Sequence, residues 1–175
     1  MILPHLAAWA RGGWILGKVD RREKYDAALH AARLRGKPLL VVGEPDGEYP
    51  CPPGPSDVLV DLRERSVCRN YVRANVEDLS RFRTKQFGAT LCSHVLEHVC
   101  DPRRAISELA RVSDEVFVSY PKGYRLVTYL IPGHTWLITE PSPGKLTFSR
   151  LRSPSSCNVG NRYGVQGLDG FTVDL

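Results

Sequence analysis

The sequence has no long uninterrupted apolar run, no C-x-x-C pair and no internal repeat. Each absence excludes something. The apolar stretch ILPHLAAWARGGWILGKV is broken by His5, Arg11, Gly12 and Gly13, so it is not expected to cross a membrane. It also lacks a basic n-region and a cleavage site, so a secretory signal is not expected. Two readings of residues 1–19 stay open. One is an arm packing Trp9, Trp14 and Ile15 on the domain or on a partner chain. The other is an interfacial segment with Arg11, Lys18, Arg21 and Arg22 facing anionic lipid. The five cysteines (Cys51, Cys68, Cys92, Cys100, Cys157) are odd in number and unpaired by spacing. This argues against paired-cysteine zinc and redox motifs, and reduced thiols in a cytoplasmic compartment are the expectation. Without a repeat there is no sign of a stacked-repeat architecture.

What is present fits one globular domain of ordinary make-up: 175 residues, 42% hydrophobic and 25% charged. The net charge of +5 suits a solvated surface, and it leaves an acidic partner such as nucleic acid or anionic lipid open without naming one. The segment Phe87 to Tyr120 is the most informative. Phe87 to Ser93 reads as an apolar strand. Asp101-Pro102 opens a helix, with the acid at the cap and proline in the first turn, where its missing N–H is not needed. Ala105, Ile106, Leu109, Ala110 and Val112 fall at helical spacing. Glu115 to Tyr120 is a second strand, stopped by Pro121 and Gly123. Strand, helix, strand in this length is a βαβ unit and implies parallel strands with a right-handed crossover.

Upstream, Asp20 to Arg35 reads as a helix with Tyr25, Ala28, Leu29, Ala32 and Leu34 inward, stopped by Gly36. Pro38 to Gly43 is a continuous apolar run, expected of a strand buried on both faces. The following GEPDGEYPCPPGPS carries Pro45, Pro50, Pro52, Pro53 and Pro55, which forbid a regular helix before the next strand, Asp57 to Leu62. Tyr71 to Ala74 is a third strand. Tyr124 to Ile131 is a short helix or an extended segment. Trp136 to Thr139 and Lys145 to Leu151 form a hairpin. Residues 152–175, rich in Ser, Gly and Asn, form a tail that wraps the surface or lacks order. The expected organisation is an arm (1–19), a domain (20–151) and that tail.

The run CSHVLEHVCDPRRAISELARV resembles the fourth strand and following helix of class I S-adenosylmethionine-dependent methyltransferases, with the HVLEHV, DP, A, EL and RV positions aligned without gaps. The resemblance implies an α/β, Rossmann-like, mostly parallel sheet with helices on its faces and the hairpin as its antiparallel end, here reduced in size and lacking its first crossover helix. It implies S-adenosylmethionine as cofactor and transfer of its methyl group to an acceptor the sequence does not identify. It places Gly43, Glu44 and Gly47 in the cofactor loop, although the family's E/D-x-G-x-G-x-G pattern is not kept there. Asp61 is placed at the ribose hydroxyls, with a strand-end cap as the other reading. Asn75 and Val76 are placed at the adenine, with an Asx-turn as the other reading. Ser93 and His94 lie at the mouth of the site, and His94 and His134 are the candidate general bases. A non-catalytic binding or assembly module on the same scaffold is the alternative.

His94-Val95-Leu96-Glu97-His98 also spells H-x-x-E-H, a zinc-peptidase motif that needs both histidines one turn apart on a helix. With His94 at a strand end, no metal is expected there, and Glu97 and His98 are read as orienting the loop.

Overall fold

The structure is a computed structural model that describes residues 21–64, 66–121, 133–151 and 170–174. The expected arm, residues 122–132 and most of the tail lie outside the described residues.

Residues 21–34 form the first helix, α1. It buries Tyr25, Ala28, Ala31 and Ala32. Leu34, expected inward, is 74% exposed: it falls in the last turn, past the reach of the sheet. The helix ends at Gly36, whose φ of 62° is the left-handed cap conformation that glycine adopts without strain. The Gly36 N–H donates to the Arg33 carbonyl at 3.0 Å and the Lys37 N–H to that of Ala32 at 3.2 Å, closing the helix on two otherwise orphaned acceptors.

Five strands then build one parallel sheet: β1 (Leu39–Val42), β2 (Val58–Asp61), β3 (Tyr71–Arg73), β4 (Ala89–Ser93) and β5 (Val116–Ser119), in the order β3-β2-β1-β4-β5. β1 is the central strand, between β2 and β4, which agrees with the expected burial of both its faces. All four β1 residues are buried. Leu39 and Val41 join Tyr25, Ala28 and Ala32 on the α1 side, while Leu40 and Val42 join the core on the other face. That alternation explains the uninterrupted apolar run: both faces of the strand are covered.

The second helix, α2 (Pro102–Val112), covers the opposite face. Asp101 is its N-cap and accepts from the Arg103 and Arg104 N–H groups. Pro102, Ala105, Ile106, Leu109 and Val112 are buried. Ala110, expected on that stripe, is exposed, being a full residue off the 3.6 repeat. Arg111, in the last turn, pairs with Glu108 at 2.7 Å and donates to the carbonyls of Leu79 and Phe82. It thereby ties the helix to the loop that leaves β3.

Two expectations are corrected. The hairpin β6 (Trp136–Ser142) and β7 (Lys145–Arg150) is not the antiparallel end of the main sheet; it belongs to a separate three-stranded sheet with β8 (Gly170–Asp174). The end of the expected tail is therefore a strand, with Phe171 stacked on Phe148 at 4.8 Å and edge-on to Trp136 at 5.7 Å. These rings bury against the α2 side of the core. A five-residue strand whose apolar positions are only Phe171 and Val173 leaves little periodicity to read. Second, Cys51 and Cys68 form a disulfide, so the expectation of reduced thiols fails for this pair. The irregular connection folds back until their Cα atoms are 5.5 Å apart, a geometry that linear spacing does not reveal. Cys92 is a thiol buried beside β1, and burial pushes its pKa up.

Candidate functional site

The strands of a parallel sheet end together, and at a point where the strand order reverses, a crevice opens beyond their carboxyl ends. Here β1 is the first strand in sequence, and the chain goes from it to β2 on one side and later to β4 on the other. Gly43, Glu44, Asp61, Ser93 and His94 all lie at that edge.

Gly43 has φ of 100°, and a Cβ there would meet the Ser93 carbonyl oxygen at 2.4 Å and the Val95 side chain at 2.9 Å. Only glycine lets β1 turn this close to β4. The chain then runs to residue 57 without an α-helix, as the prolines dictate. Three contacts hold this connection. Tyr49 is buried, stacks on Tyr25 at 5.1 Å and donates its hydroxyl to the Gly43 carbonyl at 3.0 Å. Burial pushes the Tyr49 phenol pKa up, and the neighbouring Ser93 hydroxyl only partly offsets this. The second contact is the disulfide. The third is Asp57, 1% exposed. Its carboxylate takes both Arg33 guanidinium nitrogens at 2.9 and 2.5 Å, the Leu39 N–H at 2.8 Å and the Gly54 N–H at 2.7 Å. Burial pushes the Asp57 pKa up, but Arg33 and the two backbone donors outweigh burial and hold it below the ordinary value.

Asp61 ends β2. One carboxylate oxygen accepts from the Glu44 N–H at 2.8 Å and the other from the Arg63 N–H at 2.9 Å. It caps the turn after β1 as well as its own, and each oxygen keeps a second lone pair. Glu44 Oε1 accepts from Ser66 at 3.0 Å, while Glu44 Oε2 is buried and has no hydrogen-bond partner among the described residues. Glu44 lines a cleft of about 700 Å³ together with Asp46, Gly47, Tyr49, Cys51 and Arg63. Gly47, with φ of 79°, faces open space. The acids at the tips of β1 and β2 are thus adjacent, with acceptor capacity left over.

Beyond β3, Asn75 takes the conformation of an Asx-turn: its Oδ1 accepts from the Glu77 N–H at 3.0 Å, and its Nδ2 donates to Glu77 Oε2 at 3.2 Å. Its side chain is committed locally. Val76 is buried in the core.

On the β4 side, His94 sits at φ of 52°, and its N–H donates to the Ser119 carbonyl at 2.8 Å. A left-handed histidine is uncommon and costs of order 1 kcal/mol or more. Residues 96–98 form a turn and not a helix, so the two histidines of H-x-x-E-H do not share the helical face that motif requires. The structure instead gathers a different group. Glu97 is buried, with His94 Nδ1 at 3.4 Å from its Oε1. The rings of His98 and His134 meet edge to face at 4.6 Å, and Glu97, His98 and His134 each offer a ligand-type atom within 4.8 Å of the others. Burial pushes the Glu97 pKa up, but the contact with His94 and the nearby imidazoles of His94 and His98 together hold it below the ordinary carboxylate value. His94 and His134, read separately in the sequence, therefore converge on one carboxylate. Glu97 and His98, read in the sequence as orienting the loop, both belong to this group.

Residues 55–115 match the family model described as a methyltransferase domain. The match covers about a third of the chain, and that segment is similar to class I S-adenosylmethionine-dependent methyltransferases. The match spans β2, β3, β4 and α2, and it begins at Pro55, the last proline of the connection. The methyltransferase sheet order is kept, with β1 between β2 and β4. No curated protein and no solved structure matches the chain. Among the described residues, no helix is long and apolar enough to cross a membrane.

Proposed function

We propose that the chain binds S-adenosylmethionine across the carboxyl edge of β1, β2 and β4 and transfers its methyl group to an acceptor whose identity stays open. The observation that carries this is the pair Glu44 and Asp61 on adjacent strand tips, one with a buried, unpartnered oxygen and the other with spare lone pairs. Two vicinal ribose hydroxyls need such acceptors. The backbone at Gly43 and Gly47 would run beneath the methionine part, and Val76, beside Asn75, would flank the adenine. The bound cofactor would supply an electrophilic methyl group for in-line displacement. The chain's own contribution is positioning. An O–H or N–H acceptor would also need a base, and His94 suits that role: it is part-exposed at the edge and its imidazole is held by Glu97. His134 is too enclosed to reach an acceptor.

A second reading is a binding or assembly module that keeps the scaffold without catalysis. It is favoured by the tight packing of Gly43 on Ser93 and by the commitment of Asn75 to Glu77. Incubation of the protein with methyl-labelled S-adenosylmethionine and fractionated cell extract separates the two. Label transfer that Asp61→Ala abolishes and His94→Ala slows supports the enzyme; cofactor binding without any transfer supports the module.

A further inference from the structure

Glu97 poses a physical problem. Its side chain is 1% exposed, and among the described residues neither carboxylate oxygen has a hydrogen-bond donor in normal geometry. His94 Nδ1 stands 3.4 Å from Oε1. A buried carboxylate left this way is costly, and buried charges are as a rule paired or bound to metal. The groups around Glu97 are those that bind transition metals. His98 and His134 present their rings beside it, and the three residues bring ligand-type atoms within 4.8 Å of one another. The backbone fixes this arrangement from two sides. The Glu97 carbonyl accepts from the Thr135 N–H at 2.8 Å and the Trp136 N–H at 3.2 Å, so the turn after β4 and the start of β6 are stitched together where the histidines meet. Thr135 and Trp136 side chains add bonds to the Val99 carbonyl at 3.1 and 2.9 Å.

His98 carries a further mark. Its Nδ1 lies 3.1 Å from the Gly133 carbonyl. A carbonyl only accepts, so Nδ1 is the protonated nitrogen and Nε2 holds the lone pair. Metal-bound histidines are oriented in this way, one nitrogen donating to a backbone carbonyl and the other left for the metal.

We propose that Glu97, His98 and His134 form a binding site for a divalent transition metal ion, zinc being the best match to two imidazoles and one carboxylate. Three protein ligands leave a coordination position open, unlike the closed four-ligand sites of structural zinc. Ligand atoms on one zinc stand roughly 3.3 Å apart, so the group closes by small side-chain rotations on binding. His94 stays on the outer side of Glu97 and orients it. The site departs from the expectation of no metal, which concerned His94 and His98 as a helical pair. It joins the parallel sheet to the three-stranded sheet, and it does not depend on methyl transfer.

The test uses the full chain, purified without a histidine tag, stripped with chelator and titrated with zinc sulfate. One zinc should bind per chain and raise the melting temperature. Glu97→Gln, nearly isosteric, should weaken binding tenfold or more while keeping the far-ultraviolet circular dichroism of the parent; His30→Ala, in the exposed face of α1, should bind as the parent does. X-ray absorption of the zinc-loaded parent needs no variant and should give two imidazoles and no sulfur. Absence of stoichiometric zinc, undiminished binding by Glu97→Gln, or a sulfur ligand would each overturn the site.

Discussion

Two parallel crossovers of this sheet solve one problem by different means. Between β4 and β5 the chain uses α2, an amphipathic helix with a proper cap and five residues buried on one stripe. Between β1 and β2 it uses an irregular, proline-rich path with no helix. The first crossover is held mainly by apolar burial spread over a face. The second is held at points: the Asp57 cluster, the Tyr49 hydroxyl and the Cys51–Cys68 disulfide. A connection without a helix has no stripe to bury, and covalent and charged pins replace it. The difference teaches that the strand order of a fold can persist while one of its covering layers is replaced.

This contrast can be broken at each pin. The largest effect should come from the α2 face. Leu109→Ala removes a fully buried side chain and should cost about 2–5 kcal/mol in denaturant unfolding. Reducing the Cys51–Cys68 bond opens a loop of 17 residues' separation and should cost about 3 kcal/mol. Its local signature sharpens the contrast: hydrogen exchange should rise across residues 43–68 and stay unchanged in α2. Equal loss of protection in both would mean that the connection is not separately pinned.

Next comes Asp57→Asn. The amide keeps part of the geometry but loses the charge that faces Arg33 and two backbone donors, and hydrogen bonds to a charged group are worth about 1.5–3 kcal/mol. Arg33 is partly exposed, which tempers the ion-pair share. The pH dependence has a definite sign. The folded pKa of Asp57 lies below its ordinary value of 3.8, so its contribution is complete above that value and fades as the pH falls toward the lowered folded value. Parent and Asp57→Asn should therefore converge in stability in acid. A gap that persists unchanged there would contradict the charged role. The smallest effect should be that of Asp101→Ala, the cap of α2, at about 1 kcal/mol.

Much of the parallel sheet was legible because its inner strands β1 and β4 are buried on both faces and its helices carry their own punctuation. Asp101-Pro102 and Gly36 mark boundaries by chemistry that the folded chain uses directly. The prolines after Gly43 announced the missing helix. What stayed hidden was what replaces it. No local pattern predicts that Cys51 reaches Cys68, or that Asp57 collects Arg33 from a helix 24 residues earlier. The strand Gly170–Asp174 was hidden because its stability comes from stacking Phe171 on Phe148, a long-range contact. At the site, Asp61, Ser93 and His94 were found where strand ends put them. Asn75 was legible only as two open readings, and its bonds to Glu77 favour the turn. Asn75→Asp should therefore weaken the turn, because a carboxylate there would face Glu77 Oε2. The convergence of His94 and His134 on Glu97 required the second sheet and could not be read from spacing.

The most direct test of whether the replaced connection still leaves a working crevice is calorimetric titration of the disulfide-intact protein with S-adenosylhomocysteine, beside Asp61→Ala. We expect saturable binding at one site per chain, weakened tenfold or more in Asp61→Ala, with the melting temperatures of the two ligand-free proteins differing by only a few degrees. No binding by the parent, or equal binding by Asp61→Ala, would contradict the placement of the cofactor at the tips of β1 and β2.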